Sequence, residues 1–592
     1  GIATSLIKST GIFGKCKYEL AVFEMDERSM RFIGSQMDID KLVVCNLSRD
    51  SIMRTGHPEF VRNVLTTFIP ETTELICNAD DYNAYSVSPK NKRTYFGIKK
   101  MEGDRQDSNN IINDVQICPI CGEKIKFEYY RYSNIGKIYC DACGYKSPEY
   151  DYYLDEVDFD NNEMLFVAKG ESQRVVILND SVFNIYNQLS AMTLLHEMGY
   201  SLAEIAECLK TMGLAKTRYN SQDAGDMKVI TMLSKCLNGY ATSRVMEYIA
   251  KQKKQKQILF MVNSIDAEIH WSEDICWIYD TDFEFIADDY LHSIIVYGTR
   301  ALDYKVRLLL AGVPEEKIKV VEKAEDAIAV SYTHLTLPKY SSREIRFMKI
   351  EYLFPEITGI FGDHANIDIL KRSVINAEVI STSLNSEPRF ISEDIDLVYM
   401  GSMTELSQKI VIERLNKYKN KIIEKIEEGQ NFLITGNALE IFGNGIKDVG
   451  KFVFEENGGP FLEGLGIFNF DTERDMINKY NSLWLGEYEG EKLTGLRSQF
   501  TRSFYREDIA PLFKVLRGPG LNEDISIEGI KYKGFRGTYT LGPLFIMNPN
   551  YLEKVLGELG VEDYSIPFRD SIFLAHDERV KEYSNPDTGY LY

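Results

Sequence analysis

No run of 18 or more apolar residues occurs anywhere in this 592-residue sequence, so no helical membrane span is expected. No basic stretch followed by a short apolar core marks a secretory signal either. Positive charge is in deficit: 68 Lys and Arg face 89 Asp and Glu, a formal net charge of -21. Such a balance repels phosphate backbones and argues against general nucleic-acid binding. Neither G-x-x-x-x-G-K-[ST] nor a shorter G-K-[ST] is present, so the sequence contains no P-loop cradle for a triphosphate. Cysteine stops at Cys276, and of the seven histidines only His364 and His576 lie beyond residue 348. The C-terminal part therefore offers no thiol of its own and few proton carriers for nucleophilic catalysis.

What remains is ordinary for globular protein: 44% hydrophobic and 27% charged residues over a length that predicts three to five domains. Strand-like runs such as KLVVCNL (41–47), ELICNAD (74–80) and RVVILND (174–180) alternate with helix-like SAMTLLHEMG (190–199) and SLAEIAECLKTMG (201–213). The alternation predicts an α/β fold with parallel sheet. Further on, MKIEYLFPE from Met348 reads as a first strand, and NFLITGNALEIFG (431–443) reads as strand, tight turn and helix. That elbow is where α/β enzymes mount a nucleophile.

The most specific motif is a pair of C-x2-C knuckles, Cys118/Cys121 and Cys140/Cys143, separated by eighteen residues. This is zinc-ribbon spacing. Gly122 and Gly144 follow the second cysteine of each knuckle, and FEYYRYSNIGKIY between the knuckles reads as two short strands. Four thiolates fill a tetrahedral shell, so the zinc is expected to be structural. Two disulfides are the rival reading, disfavoured because nothing points to an oxidising compartment.

Residues Ala329 to Pro338 read AVSYTHLTLP. VSYTHLTLP resembles an in-frame translation of a transposon-end adapter used in DNA library preparation, with an ordinary Ser/Thr/Pro linker as the alternative. The flanks are therefore read as two units, 1–329 and 348–592, joined by an adapter-like junction at 330–347.

The first unit resembles the Mur ligase family, and within it the MurT branch of lipid II isoglutaminyl synthase. The phrases that carry this are FEMDE (23–27), NLSRD (46–50), the four-cysteine ribbon, FNIYN (183–187) and WIYDTDFE (277–284). The resemblance implies a truncated central domain at 1–215, a zinc ribbon inserted at 116–147 and a C-terminal domain at 216–329. It implies ATP and magnesium as cofactors, with Glu24 at the metal beside the phosphates, Asn184 and Asn187 near the adenine, and Arg218 and Lys235 over the phosphates. Asp274 is the candidate acidic residue that reaches toward an amidotransferase, with Asp266 competing for that role. The alternative for these residues is structural: a solvated carboxylate, helix-capping asparagines and a surface lysine. Two departures from the family pattern are Lys235-Cys236-Leu237-Asn238-Gly239 and the segment IDAEIHWSED before Ile275. GIATSLIKST at the start resembles the helix that follows the family's P-loop, so a P-loop is expected upstream of residue 1, and the chain as it stands is expected not to bind ATP productively.

The second unit resembles class I glutamine amidotransferases of the GatD type through IFGDHANIDILKR (360–372), FLITGNALEIFG (432–443), EGLGIFNFDTE (463–473) and GTYTLGPLF (537–545). This implies a flavodoxin-like domain over 348–592. Gly436 stands where active relatives carry the nucleophilic cysteine, and Leu541 stands where they carry the histidine base. His364 and His576 are read as structural or surface residues. The resemblance implies a cytoplasmic, ATP-dependent amidation of the glutamate α-carboxyl in the lipid II stem peptide. It further implies heterodimer-type contact between ligase and amidotransferase portions, an amidotransferase half without glutaminase activity, and no nucleic-acid partner. The alternative is a non-catalytic pseudoenzyme or docking module that binds a ligase partner.

Overall fold

The computed structural model describes residues 2–11, 14–54, 56–212, 219–224, 227–232, 234, 237–261, 273–321, 348–454, 457–506 and 509–589. Arg218, Lys235 and Asp266 lie outside these, as does the adapter-like stretch 330–338. The chain forms two compact units, one built from 1–47, 58–101 and 148–213 and the other from 48–57, 102–147 and 214–592.

The first unit is built on a six-stranded sheet. Strands Lys41–Val44, Glu74–Asn78, Arg93–Ile98 and Tyr152–Asp158 run parallel, and Glu163–Ala168 and Glu171–Val176 extend the sheet antiparallel. The strands expected in KLVVCNL and ELICNAD and the helices expected in the two apolar-periodic runs form as Lys41–Val44, Glu74–Asn78, Val182–Glu197 and Leu202–Thr211. Ser201 and Glu204 close a reciprocal capping box on the last of these, which satisfies backbone donors that the first helical turn leaves free. Asp80 ties the sheet to its cover: its carboxylate accepts the Tyr150 hydroxyl (2.5 Å), the Tyr186 hydroxyl (2.6 Å) and the Ile98 amide (2.9 Å).

The described residues of the second unit form six sheets, three of which position the site. Lys256–Met261, Leu291–Tyr297 and Ile318–Val321 form a parallel three-stranded sheet. Met348–Leu353, Ala377–Thr382, Leu397–Met400, Phe432–Thr435 and Phe535–Thr538 form five parallel strands in the spatial order 2-1-3-4-5, counted along the chain. That order is the flavodoxin-like arrangement, whose binding crevice lies beyond the carboxyl ends of the strands. Lys126–Tyr132 and Ile135–Tyr139 pair as the hairpin expected between the cysteine knuckles. Among the described residues, no helix is long and apolar enough to cross a membrane.

The ligase-like and amidotransferase-like portions of this unit bury their apolar faces in one continuous cluster. Ile278, Phe283, Ile294 and Tyr304 from residues 273–321 share it with Met348, Ile350, Leu370, Phe545 and Leu552. Burial of each such side chain contributes on the order of 1.5–3 kcal/mol. Charged groups at the seam are paired. Arg300 meets the half-buried Glu582, and Arg579 donates to Asp303 and to the Met547 carbonyl (2.6 Å), with Arg300, Asp303 and Arg579 nearly inaccessible to water. Removing one partner of a buried pair leaves the other charge uncompensated, at a cost of about 3–5 kcal/mol. Asp303→Ala is therefore expected to destabilise the second unit by that amount, read as a lowered thermal transition, whereas the exposed Lys421→Ala, in a surface pair with Glu424, leaves the transition close to unchanged.

Candidate functional site

The elbow begins with the wholly buried strand Phe432–Thr435, which ends at Gly436 with φ +62°. A left-handed φ of this kind favours glycine. After the turn the chain follows a 3-10 helix, Gly436–Phe442, where sequence periodicity predicts an ordinary helix. Side chains compete with the helical ladder here. Asn437 exchanges two hydrogen bonds with the Met403 backbone (2.9 and 3.0 Å), and Gln408 donates to the Asn437 carbonyl (2.8 Å).

Positions 436 and 541 do face one another, but the space between them is filled. A Cβ on Gly436 would lie 2.8 Å from Leu541 Cδ2 and 2.5 Å from Ser402 Cβ. Thr435, the residue before the turn, donates its hydroxyl to Asp363 Oδ2 (2.7 Å). The same carboxylate accepts the Ser402 amide (2.8 Å) and, through Oδ1, the Gly542 amide (3.0 Å). Asp363 thus braces the strand end, the Ser402 loop and the segment carrying Leu541 against each other. His576 is buried and bonded to the Met547 carbonyl (2.8 Å), with its pKa held below the usual value by burial and by Arg579. It is structural, as the sequence suggests.

The absence of cysteine beyond residue 276 predicts that no thiol stands near this elbow, and the structure corrects that expectation. Cys276 is carried in by the ligase-like portion: its Sγ lies 3.9 Å from the Leu541 carbonyl, and a Cβ on Gly542 would stand 2.4 Å from it. Burial, with Asp274 next, raises the Cys276 pKa well above the usual thiol value, so it is a packed thiol and not a nucleophile. Its neighbours Leu541, Leu496, Leu483 and Tyr583 form a small apolar cluster.

Asp274 is buried beside this cluster. Its Oδ1 accepts the Cys276 amide (2.8 Å), and its Oδ2 has no hydrogen-bond partner among the described residues. Burial, with the repulsion of Asp280, pushes its pKa up to about 6, while the Cys276 bonds and Lys479 oppose the shift. The preceding Glu273 accepts the Tyr304 hydroxyl (2.7 Å), and burial lifts its pKa to about 7. Neither Glu273 nor its raised pKa was legible in the sequence, because both come from the fold that covers it.

The four ribbon cysteines converge. Their sulfur atoms lie within 4.8 Å of one another, with Cys118 and Cys143 3.6 Å apart and Cys121 and Cys140 also 3.6 Å apart. Tetrahedral zinc at about 2.3 Å from each thiolate requires sulfurs about 3.8 Å apart, far beyond a disulfide length of about 2.05 Å. The donor set therefore fits a closed structural zinc site. Both knuckles turn on glycine, Gly122 (φ +72°) and Gly144 (φ +75°), whose amides bond back to the Cys118 and Cys140 carbonyls.

Of the nucleotide candidates, Glu24, Asn184 and Asn187 lie in the first unit, and Arg218 and Lys235 lie outside the described residues. Glu24 is exposed in an irregular segment, not at a strand end. Asn184 sits in the first turn of helix Val182–Glu197 with both side-chain N–H groups committed, to Asn179 Oδ1 (2.9 Å) and Ser181 Oγ (2.7 Å), and Asn187 is exposed. Only the carbonyl oxygen of Asn184 remains to meet a ligand.

Two outcomes follow from this geometry. Gly436→Cys is expected to lower stability by about 1–3 kcal/mol through overpacking, because Ser402 cannot retreat without releasing Asp363, and adding Ser402→Gly recovers part of the loss in a denaturant titration. Glu273 and Asp274 have folded-state pKa values above the ordinary carboxylate values of about 4.3 and 3.9, so the folded state binds more protons between about pH 4 and 7 and loses stability as pH rises through that window. Glu273→Gln is expected to flatten the decline in a melting series from pH 4.5 to 8, and an unchanged slope would show that Glu273 does not titrate there.

A family model described as MurT ligase C-terminal matches residues 233–342. The MurT subunit of lipid II isoglutaminyl synthase (glutamine-hydrolyzing) from Streptococcus pneumoniae is 28% identical over 331 residues, covering 55% of this chain and 72% of that protein. The GatD subunit from the same organism is 26% identical over 250 residues, covering 40% of this chain and 91% of that protein. Among solved structures, a pseudomurein peptide ligase type C from Methanothermus fervidus is 18% identical with a TM-score of 0.35, covering 58% of this chain and 60% of that chain. The chain therefore combines MurT-like and GatD-like sequence, the two subunit types of lipid II isoglutaminyl synthase.

Proposed function

We propose that this chain serves the ATP-dependent amidation of the glutamate α-carboxyl in the lipid II stem peptide, with an amidotransferase-like portion that does not hydrolyse glutamine. The similarity to both named subunits supports the reaction class. The filled space between Gly436 and Leu541 is the observation that carries the loss of glutaminase activity. Glutamine hydrolysis of this type proceeds through a thioester, which needs a thiolate and a proton carrier. Position 436 supplies no side chain, position 541 supplies a hydrocarbon, and Cys276, the thiol that the described residues place close by, has its pKa raised by burial.

In this reading, residues 1–215 act as the ligase central domain, 216–329 as its C-terminal domain and 348–592 as a cytoplasmic docking partner fused to them. Cys118, Cys121, Cys140 and Cys143 hold the structural zinc. Glu24, Asn184, Asn187, Arg218 and Lys235 are proposed for the nucleotide and its magnesium, which together activate a carboxyl group toward an amine. Asp274 is proposed to face the amidotransferase portion, where its unpartnered oxygen stands beside the cluster that contains Leu541. A purely non-catalytic docking module is the second reading, favoured by the same filled elbow.

The two readings separate in one assay. Because the chain holds no P-loop motif, the assay joins a P-loop segment upstream; incubated with lipid II, ATP and either glutamine or ammonium, a ligase with a dead amidotransferase then gives amidated product, by mass spectrometry, with ammonium only. A docking module gives none with either. Release of glutamate from glutamine by the unmodified chain would overturn both.

A further inference from the structure

The four-cysteine ribbon touches both portions of the second unit, through contacts that neither its metal chemistry nor the proposed amidation requires. In the segment that leads into it, Asn110 Nδ2 and the Ile111 amide donate to the two oxygens of Asp282 (2.8 and 2.7 Å), Asn110 Oδ1 accepts the Tyr130 hydroxyl and the Ser133 amide of the hairpin (3.1 and 3.2 Å), and Asp282 lies in the WIYDTDFE segment of the ligase-like portion. Arg49 bridges Asp114, in the same leading segment, and Asp280 (Nε to Oδ1 2.9 Å; Nη1 to Oδ2 2.9 Å). Asp280 in turn accepts the Gly362 amide of the amidotransferase-like portion through Oδ1 (3.0 Å). Arg244 of the ligase-like portion lies over the Tyr132 ring of the hairpin, 4.9 Å from its centre. At the metal end, Ile117, next to Cys118, packs against the apolar cluster built from Leu353, Val398, Phe432 and Phe535 of the amidotransferase-like sheet. Asn385 of the same portion donates to the carbonyl of Gly122, the residue after Cys121 (3.4 Å).

We propose that the ribbon is a metal-dependent clamp that fastens the amidotransferase-like portion onto the ligase-like C-terminal portion. The hairpin base is fixed to the ligase-like side by side-chain and backbone hydrogen bonds that do not involve the cysteines. Ile117 and Gly122, which meet the other side, flank the knuckle Cys118–Cys121, whose shape depends on four sulfurs being held at one point. Without a metal, four thiols have no reason to stay within 4.8 Å of one another, and the knuckle loses its fixed form. Metal release then frees the contacts to Ile117 and Asn385 first, and the base contacts survive.

The test uses the full chain loaded with zinc, and amide hydrogen exchange read by mass spectrometry before and after chelation. Exchange is expected to rise on the order of tenfold or more at 384–386 as well as within 116–147, while the strand Phe432–Thr435 stays protected, and re-added zinc should reverse the change. A rise confined to 116–147 would overturn the clamp, as would a chain that binds no zinc. Ile117→Asp supplies the second arm: with one zinc per chain retained by metal analysis, it should reproduce the exposure of 384–386. Unchanged exchange there in that variant would equally overturn the proposal.

Discussion

One buried carboxylate, Asp280, holds the second unit together at its crossing point. It accepts Arg49 on one oxygen and the Gly362 amide on the other, so a single side chain joins the 48–57 loop, the ligase-like portion and the amidotransferase-like portion. A carboxylate satisfied by charge-assisted and backbone donors tolerates burial that would otherwise be costly. The shared apolar cluster around Tyr304 and Leu552 stabilises the seam by burial, which is non-directional, while Asp280 and the Arg579–Asp303 pair add directional contacts.

That seam explains the state of the elbow. The ligase-like portion pushes Cys276 against Gly542, and Leu541 turns into the space that a nucleophile at 436 would occupy. Asp363 fixes Thr435, Ser402 and Gly542 at once, so the pocket walls have no independent freedom to reopen. The space between Gly436 and Leu541 is filled by packing, with Ser402 and Leu541 both close to where a side chain at 436 would stand. The elbow is an apolar joint, and the fold around it is otherwise that of a flavodoxin-like domain.

Much of this was legible in the residues. C-x2-C spacing brings the two sulfurs of each knuckle together, since each knuckle is a local turn closed by its own glycine, and the hairpin between them carries the two pairs toward one point. Alternation of apolar runs gave the parallel strands, and the elbow phrase gave the strand end and tight turn at Gly436. The helix expected after it forms as a 3-10 helix, with Asn437 and Gln408 taking backbone partners that the local sequence does not reveal. Glu24 lies in an irregular exposed segment, which the phrase FEMDE alone does not reveal.

Sequence by itself determined the chemistry available: which side chains stand at 436 and 541, how many cysteines share a knuckle, and that positive charge is scarce. Only the tertiary structure decided what those side chains meet. The approach of Cys276 to Leu541, the partnerless oxygen of Asp274, the raised pKa of Glu273 and the reach of the ribbon to Asn385 all depend on contacts between residues tens to hundreds of positions apart. Local pattern records what a residue is, whereas burial and long-range pairing set the dielectric and the neighbours that govern how it behaves.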